Sequence, residues 1–112
     1  MATSTNGSTH IVVIFEDDRG LENPFRIAPS TVMAGAGDRV FFKNMTAIDV
    51  TIDFRGNTPF KEKEFTLKPH DISNPGNNKE VEPVNVGNYQ YEARCGDFNA
   101  EGTRPIIIIY DK

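Results

Sequence analysis

Residues 46–55 alternate strictly: Ile48, Val50, Ile52 and Phe54 fall on one side, and Asp49, Thr51, Asp53 and Arg55 on the other. Successive side chains of a strand point to opposite faces, so a period of two held over this length demands a half-buried strand of an antiparallel sheet. Such a strand needs a second apolar layer to cover it. Residues 11–15, Ile-Val-Val-Ile-Phe, supply a β-branched run stopped by the turn-like 16–20. Residues 25–33 are extended and interrupted at Pro29, which predicts an edge strand or a bend between sheets. Gly35-Ala36-Gly37-Asp38 predicts a tight turn, followed by a strand over 39–44 with Val40 and Phe42 on one face.

Further along, 56–64 reads as a charged loop and 65–67 as a short strand ending at Pro69. The density of Asn, Pro and Gly from 70 to 83 predicts a long loop, with Pro75-Gly76-Asn77-Asn78 as its sharpest turn. Gly87 opens a strand in which Tyr89, Tyr91 and Ala93 alternate with Gln90, Glu92 and Arg94. The four consecutive isoleucines within 105–110 predict a last strand covered on both faces, with Arg104-Pro105 and Asp111-Lys112 as guards against edge aggregation. No segment holds a helical period over ten residues. Seven to eight short strands separated by turn signals predict an all-β sandwich or barrel.

At 112 residues the chain is expected to form a single domain over 10–112, behind a disordered polar tail over 1–9. A net charge of -4 without a basic cluster argues against nucleic-acid and anionic-membrane surfaces. No run is long enough for a transmembrane helix. Cys95 is the sole cysteine, so there is no intrachain disulfide and a thiol-linked dimer stays open. The expected compartment is cytoplasmic if Met1 is the native start, and periplasmic or secreted if a signal peptide was removed.

Three patterns in this order resemble the cupredoxins, the Greek-key sandwiches that hold a blue-copper centre. They are Gly37-Asp38-Arg39-Val40-Phe41-Phe42-Lys43-Asn44, the alternating strand after it, and Gly87-Asn88-Tyr89-Gln90-Tyr91 followed by a loop and a β-branched terminal strand. The likeness spans roughly residues 26 to 110. It implies a Greek-key sandwich, and it implies where copper ligands would stand: two imidazoles, a thiolate and a weak axial thioether. Those positions are Ile48 for the first histidine, Ala93 for the cysteine, Gly96 for the second histidine and Glu101 for the methionine. Shifting the loop so that Cys95 is the thiolate puts the next histidine position near Phe98. His10 and His70 lie outside the ligand segments, and no methionine follows Cys95. The resemblance implies the scaffold with no copper cofactor.

The function expected on this basis is a copper-free binding or assembly module, with a protein partner or self-association. Its recognition surface would be the loops 57–63, 70–83 and 95–104, with Cys95, Asp97, Phe98 and Asn99 as the interaction loop and Phe98 as an exposed anchor. The alternative is an electron-transfer or copper-handling protein with an unusual site built from Cys95 and His70 or His10. Cys95 reads either as a thiolate favoured by Arg94 or as a small core or loop residue. Glu16-Asp17-Asp18 lacks the spacing of a calcium loop, and Pro69-His70-Asp71 reads as a surface histidine. Asn6 and Asn44 begin glycosylation-acceptor triplets. No paired acid and base, activated nucleophile or cofactor motif points to an enzyme.

Overall fold

The computed structural model of the chain describes residues 7–70, 75–100 and 105–111. The β-branched run forms β1 (Thr9–Glu16), antiparallel to β2 (Phe25–Ala28) and parallel to β4 (Arg39–Asn44). With β7 (Asn78–Val81) on the far edge of β4, they make a first sheet in the order β2-β1-β4-β7. The alternating segment gives β5 (Val50–Asp53), flanked by β6 (Glu64–Leu67) and β9 (Glu92–Cys95). The hairpin strand β10 (Phe98–Asn99) completes a second sheet, β10-β9-β5-β6. In the third sheet β11 (Ile106–Tyr110) lies between β3 (Thr31–Gly35) and β8 (Gly87–Gln90).

The all-β sandwich stands as the sequence predicts, but it is cut into eleven short strands among the described residues rather than seven or eight. Pro29 and Ser30 divide the second extended stretch, so β2 joins the first sheet and β3 the third; this is the bend between sheets. Tyr91 likewise divides the expected continuous strand, with β8 pairing β11 and β9 pairing β5. The long loop over 70–83 holds a 3-10 turn at Pro75–Asn77 and then β7, although residues 71–74 lie outside the described residues. Only Val81 of β7 is buried, opposite Val40, so Asn-Lys-Glu-Val carries no alternation to read; backbone pairing along β4 makes the strand.

Burial follows the alternation closely. Val50, Ile52 and Phe54 are buried and Ile48 packs partly buried against the core, although the hydrogen-bonded ladder covers only Val50–Asp53. On the opposite face Arg94 bonds both Asp53 and Glu64, and Thr51 bonds Thr66 at 3.0 Å. The last strand departs from expectation. Ile107 and Ile109 are buried, whereas Ile106 and Ile108 are half-buried and Tyr110 is exposed, so among the described residues one face of β11 is fully covered and the other only in part. The guards Arg104 and Lys112 lie outside the described residues.

Across the sandwich, the fully buried Phe42 of β4 meets Phe65 of β6 at 5.4 Å, Tyr91 at 5.8 Å and Phe60 at 6.3 Å, each edge to face. Asp38, buried beside Gly37 (φ 92°), accepts from Gly35 N at 2.8 Å, Ser8 N at 2.9 Å and the His10 Nε2 at 2.9 Å. These bonds tie the chain start to the β3–β4 turn: of the tail expected over 1–9, residues 8 and 9 are structured and residues 1–6 lie outside the described residues.

Asn44 ends β4 with no exposed surface, so its acceptor triplet is unavailable to glycosylation, and Asn6 lies outside the described residues. The Asn44 Nδ2 faces the carbonyls of Ile48 (2.8 Å), Lys68 (2.9 Å) and Leu67 (3.2 Å). Its Oδ1 accepts from Thr46 N at 2.8 Å and Thr46 Oγ1 at 2.7 Å. One side chain thereby joins β4, β6 and the loop into β5. Asn44→Ala leaves these buried groups without partners and is expected to lower unfolding free energy by about 3 kcal/mol, measured by urea denaturation.

Candidate functional site

The pole of the sandwich at the start of β5 is where the sequence placed the ligand positions. The Thr46 hydroxyl, which donates to Asn44 Oδ1, also lies 3.0 Å from Ile48 O, while Ala47 N donates to Glu16 Oε2 at 3.2 Å and Met45 N donates to Ile14 O at 2.8 Å. Loop 45–49 is therefore fastened on both sides before Ile48 turns inward. Opposite it, β9 and β10 form a hairpin in which Phe98 pairs with Cys95 around Gly96 and Asp97. Gly96 has a φ of 64°, the positive value that the first position of such a two-residue turn favours. The chain thus folds back on β9 immediately after Cys95, and Ala100 N closes onto Ala93 O at 2.8 Å.

Ile48 and Gly96 are brought together: a methyl group placed on Gly96 would lie 3.7 Å from Ile48 Cδ1. Ala93 is not with them. It pairs with Ile52, deeper in the sheet, while Cys95 pairs with Val50. Glu101 lies outside the described residues. Of the second placement, Cys95 is fully buried, and Phe98, beside it across the hairpin, packs its ring 6.2 Å from Phe25. Phe98 is 37% exposed, as an exposed residue of this loop, while one side of its ring packs on Phe25. Asn99 O accepts from Asn23 Nδ2 at 2.9 Å, and Asp97 stands exposed in the turn.

The Cys95 thiol donates a long bond to Ala93 O at 3.7 Å. Burial pushes its pKa up to about 11; the Ala100 backbone bond opposes this, and the Glu16 charge adds to it. Arg94 does not stabilise a thiolate here, because neighbouring strand residues face opposite ways and its guanidinium is engaged by Asp53 and Glu64. The structure therefore fits the core reading of Cys95. The two histidines are held elsewhere, His10 by Asp38 and His70, exposed, with its Nδ1 3.3 Å from Asn77 Nδ2. Asp71, its sequence neighbour, lies outside the described residues.

Ile48, Ala93 and Gly96 offer no donor atom, and Cys95 offers a buried, protonated sulfur. Among the described residues no group of three His, Cys, Asp or Glu side chains converges. These residues do not fit a copper centre of two imidazoles and a thiolate.

Two shallow recesses of about 410 Å³ flank the hairpin. One is lined by Ile48, Asp49, Thr51, Arg94 and Gly96, the other by Leu21, Glu22, Asn23, Arg26 and Phe98. Sequence reading missed Leu21 and Arg26. Asn23-Pro24 signals a turn, since the Asn23 side chain accepts from Phe25 N at 3.1 Å, but nothing local announces that the turn meets β10. Loop 57–63 is not part of this pole. It follows β5, closing through Phe54 N to Lys63 O at 2.8 Å, and so sits at the opposite end. Residue 70 does belong here, through His70 N to Thr46 O at 2.9 Å.

Thiol-reactive dye is expected to label Cys95 only as fast as the chain opens, with labelling completed in denaturant. The raised folded pKa means the unfolded thiol ionises first, so stability is full below about pH 9 and declines as pH rises toward 11. Cys95→Ala should flatten that part of a melting-temperature profile.

Several solved structures share this architecture. A reduced Cu(I) form of an amicyanin mutant matches with a TM-score of 0.60 and 14% identity, over 91% of this chain and 82% of its own. A purple cupredoxin from Nitrosopumilus maritimus matches with a TM-score of 0.60 and 12% identity, over 90% of this chain and 99% of its own. Amicyanin from Paracoccus versutus matches with a TM-score of 0.56 and 14% identity, over 98% and 96%. No protein-family model and no curated protein sequence matches the chain. Identities this low carry the fold alone, and together with the three sheets they establish it: this chain is an all-β sandwich with the cupredoxin-like fold.

Proposed function

We propose that this chain is a copper-free cupredoxin-like module that binds a protein partner at the Ile48 pole. The observation that carries the reading is the identity of the residues at the ligand positions: Ile48 and Gly96 close on each other with hydrocarbon and backbone alone. A buried imidazole without its metal needs a hydrogen-bond partner, whereas isoleucine fills the same space without one. The copper named for the amicyanin neighbour does not carry over, because the donor set does not.

Partner binding is supported by what surrounds the closed pole. Phe98, Leu21 and Met45 are each about two-fifths exposed there, on loops held by a rigid sandwich. Arg26 and Glu22 stand beside Leu21 and Phe98 in one recess, giving an apolar centre with charged edges, the layout of a protein contact. The reading assigns the chain no catalytic role.

The test is a copper titration of the reduced protein, with Cys95→Ser in parallel. The expected outcome is no intense visible thiolate-to-copper band and an unchanged melting temperature with added metal. An intense band that disappears in Cys95→Ser would overturn the reading and restore metal chemistry to this pole.

A further inference from the structure

The ladder between β5 and β9 ends at Asp53 opposite Glu92, although the partner chain runs on straight into β8. Arg55 and Gly56 turn β5 away with φ values of 55° and 91°, and Asn57 N closes the turn onto Phe54 O at 3.2 Å. Among the described residues Arg55 is the one non-glycine with a positive φ, a conformation that persists only where its surroundings hold it. Here they do. Asp53 Oδ1 accepts from Arg55 N at 2.8 Å, and Glu92 Oε1 accepts from its Nε at 2.8 Å and its Nη2 at 2.6 Å.

The early exit of β5 leaves β8 as the edge of its sheet. Tyr91 N donates to Pro105 O, on the β11 side, and backbone groups of alternate strand residues point to opposite sides. The N–H and C=O groups of Asn88 and Gln90 therefore point away from β11, where no strand among the described residues pairs with them. The gap beside them is an open recess of about 350 Å³, lined by Phe54, Arg55 and Asn57 from the turn and by Gln90 and Tyr91 from the strand. Other edges are obstructed or short. Lys79 of β7 lies over the Phe65 ring of β6 at 5.4 Å and pairs with Glu62 at 2.7 Å. Arg26 donates to Phe25 O on β2 at 2.7 Å, Asp38 takes Gly35 N at the end of β3, and β10 has two residues.

We propose that an extended segment of a partner protein adds to β8 as a further strand, pairing with Asn88 and Gln90 and lying in the recess. A row of unpaired backbone donors and acceptors is complementary to another extended backbone, and the pairing supplies affinity without a particular sequence. Register sets the preference that remains. A residue opposite Gln90 points outward, while its two neighbours point inward on the face of Tyr89 and Tyr91, beside Phe54, so the segment alternates polar with small apolar side chains. Two paired residues make a small contact, and binding is accordingly weak. The edge lies at the end of β5 away from the Ile48 pole, so it is a second surface, independent of the one described above.

The probe is acetyl-Thr-Val-Thr-Val-Thr-amide, titrated from micromolar to millimolar into the isotope-labelled protein and followed by amide resonances and hydrogen exchange. Expected are saturable shifts and slowed exchange at the amides of Asn88 and Gln90. An analogue N-methylated at its three central residues, which lacks the donors, should bind at least tenfold more weakly. Gln90→Pro removes a donor from the free side of an edge strand, where proline is tolerated, and should abolish the shifts. Should that variant not fold, the comparison of the two peptides decides. No saturable shift by millimolar peptide, shifts centred away from β8, or equal binding of the N-methylated analogue overturns the proposal. Phe98→Asp should leave the titration unchanged, so this edge and the Ile48 pole fail separately.

Discussion

The Phe42 ring is the contact through which the layers of this protein define one another. It is fully buried on β4, and the rings it touches come from β6, from the β5–β6 loop and from the point where β8 gives way to β9. Phe54 extends the set, with its centroid 5.0 Å from Tyr91 and 5.5 Å from Phe60. Edge-to-face rings are directional as well as apolar, so the cluster fixes the height and rotation of one sheet over the other. The register of β5 against β9 follows, and with it the placement of Val50 beside Cys95.

At the Ile48 pole, polar groups keep the loop into β5 in place, and backbone pairing keeps the β9–β10 hairpin. Asn44 and Thr46 form a self-contained set of hydrogen bonds that ends at Ile48 O, and the hairpin turns at Gly96 without reaching outward. What remains, among the described residues, is a sandwich end where Ile48 packs partly buried against the core, with apolar side chains at its margin. Burial of Cys95 belongs to the same outcome, since a neutral thiol packs among Val50 and its neighbours as a small apolar group.

The exposed half of β11 shows how a sequence pattern and a tertiary environment separate. Four isoleucines in a row say that both faces of a strand are apolar, and the parallel partner β3 and antiparallel partner β8 cover its edges. Among the described residues only the inward pair gains full burial, and the outward pair is half-buried.

Much of this was written in the sequence, because period-two alternation is local. The inward faces of β4 and β5, the turn at Gly37 and the bend at Pro29 all follow from neighbouring residues. So did the absence of copper donors at Ile48, Ala93 and Gly96, which is a matter of residue identity. Tertiary structure alone decided the rest: that Ile48 meets Gly96 rather than Ala93, that Asn23 reaches Asn99 across the pole, and that Asn-Lys-Glu-Val becomes a strand. These depend on register and on contacts between residues far apart in the chain, which no local pattern encodes.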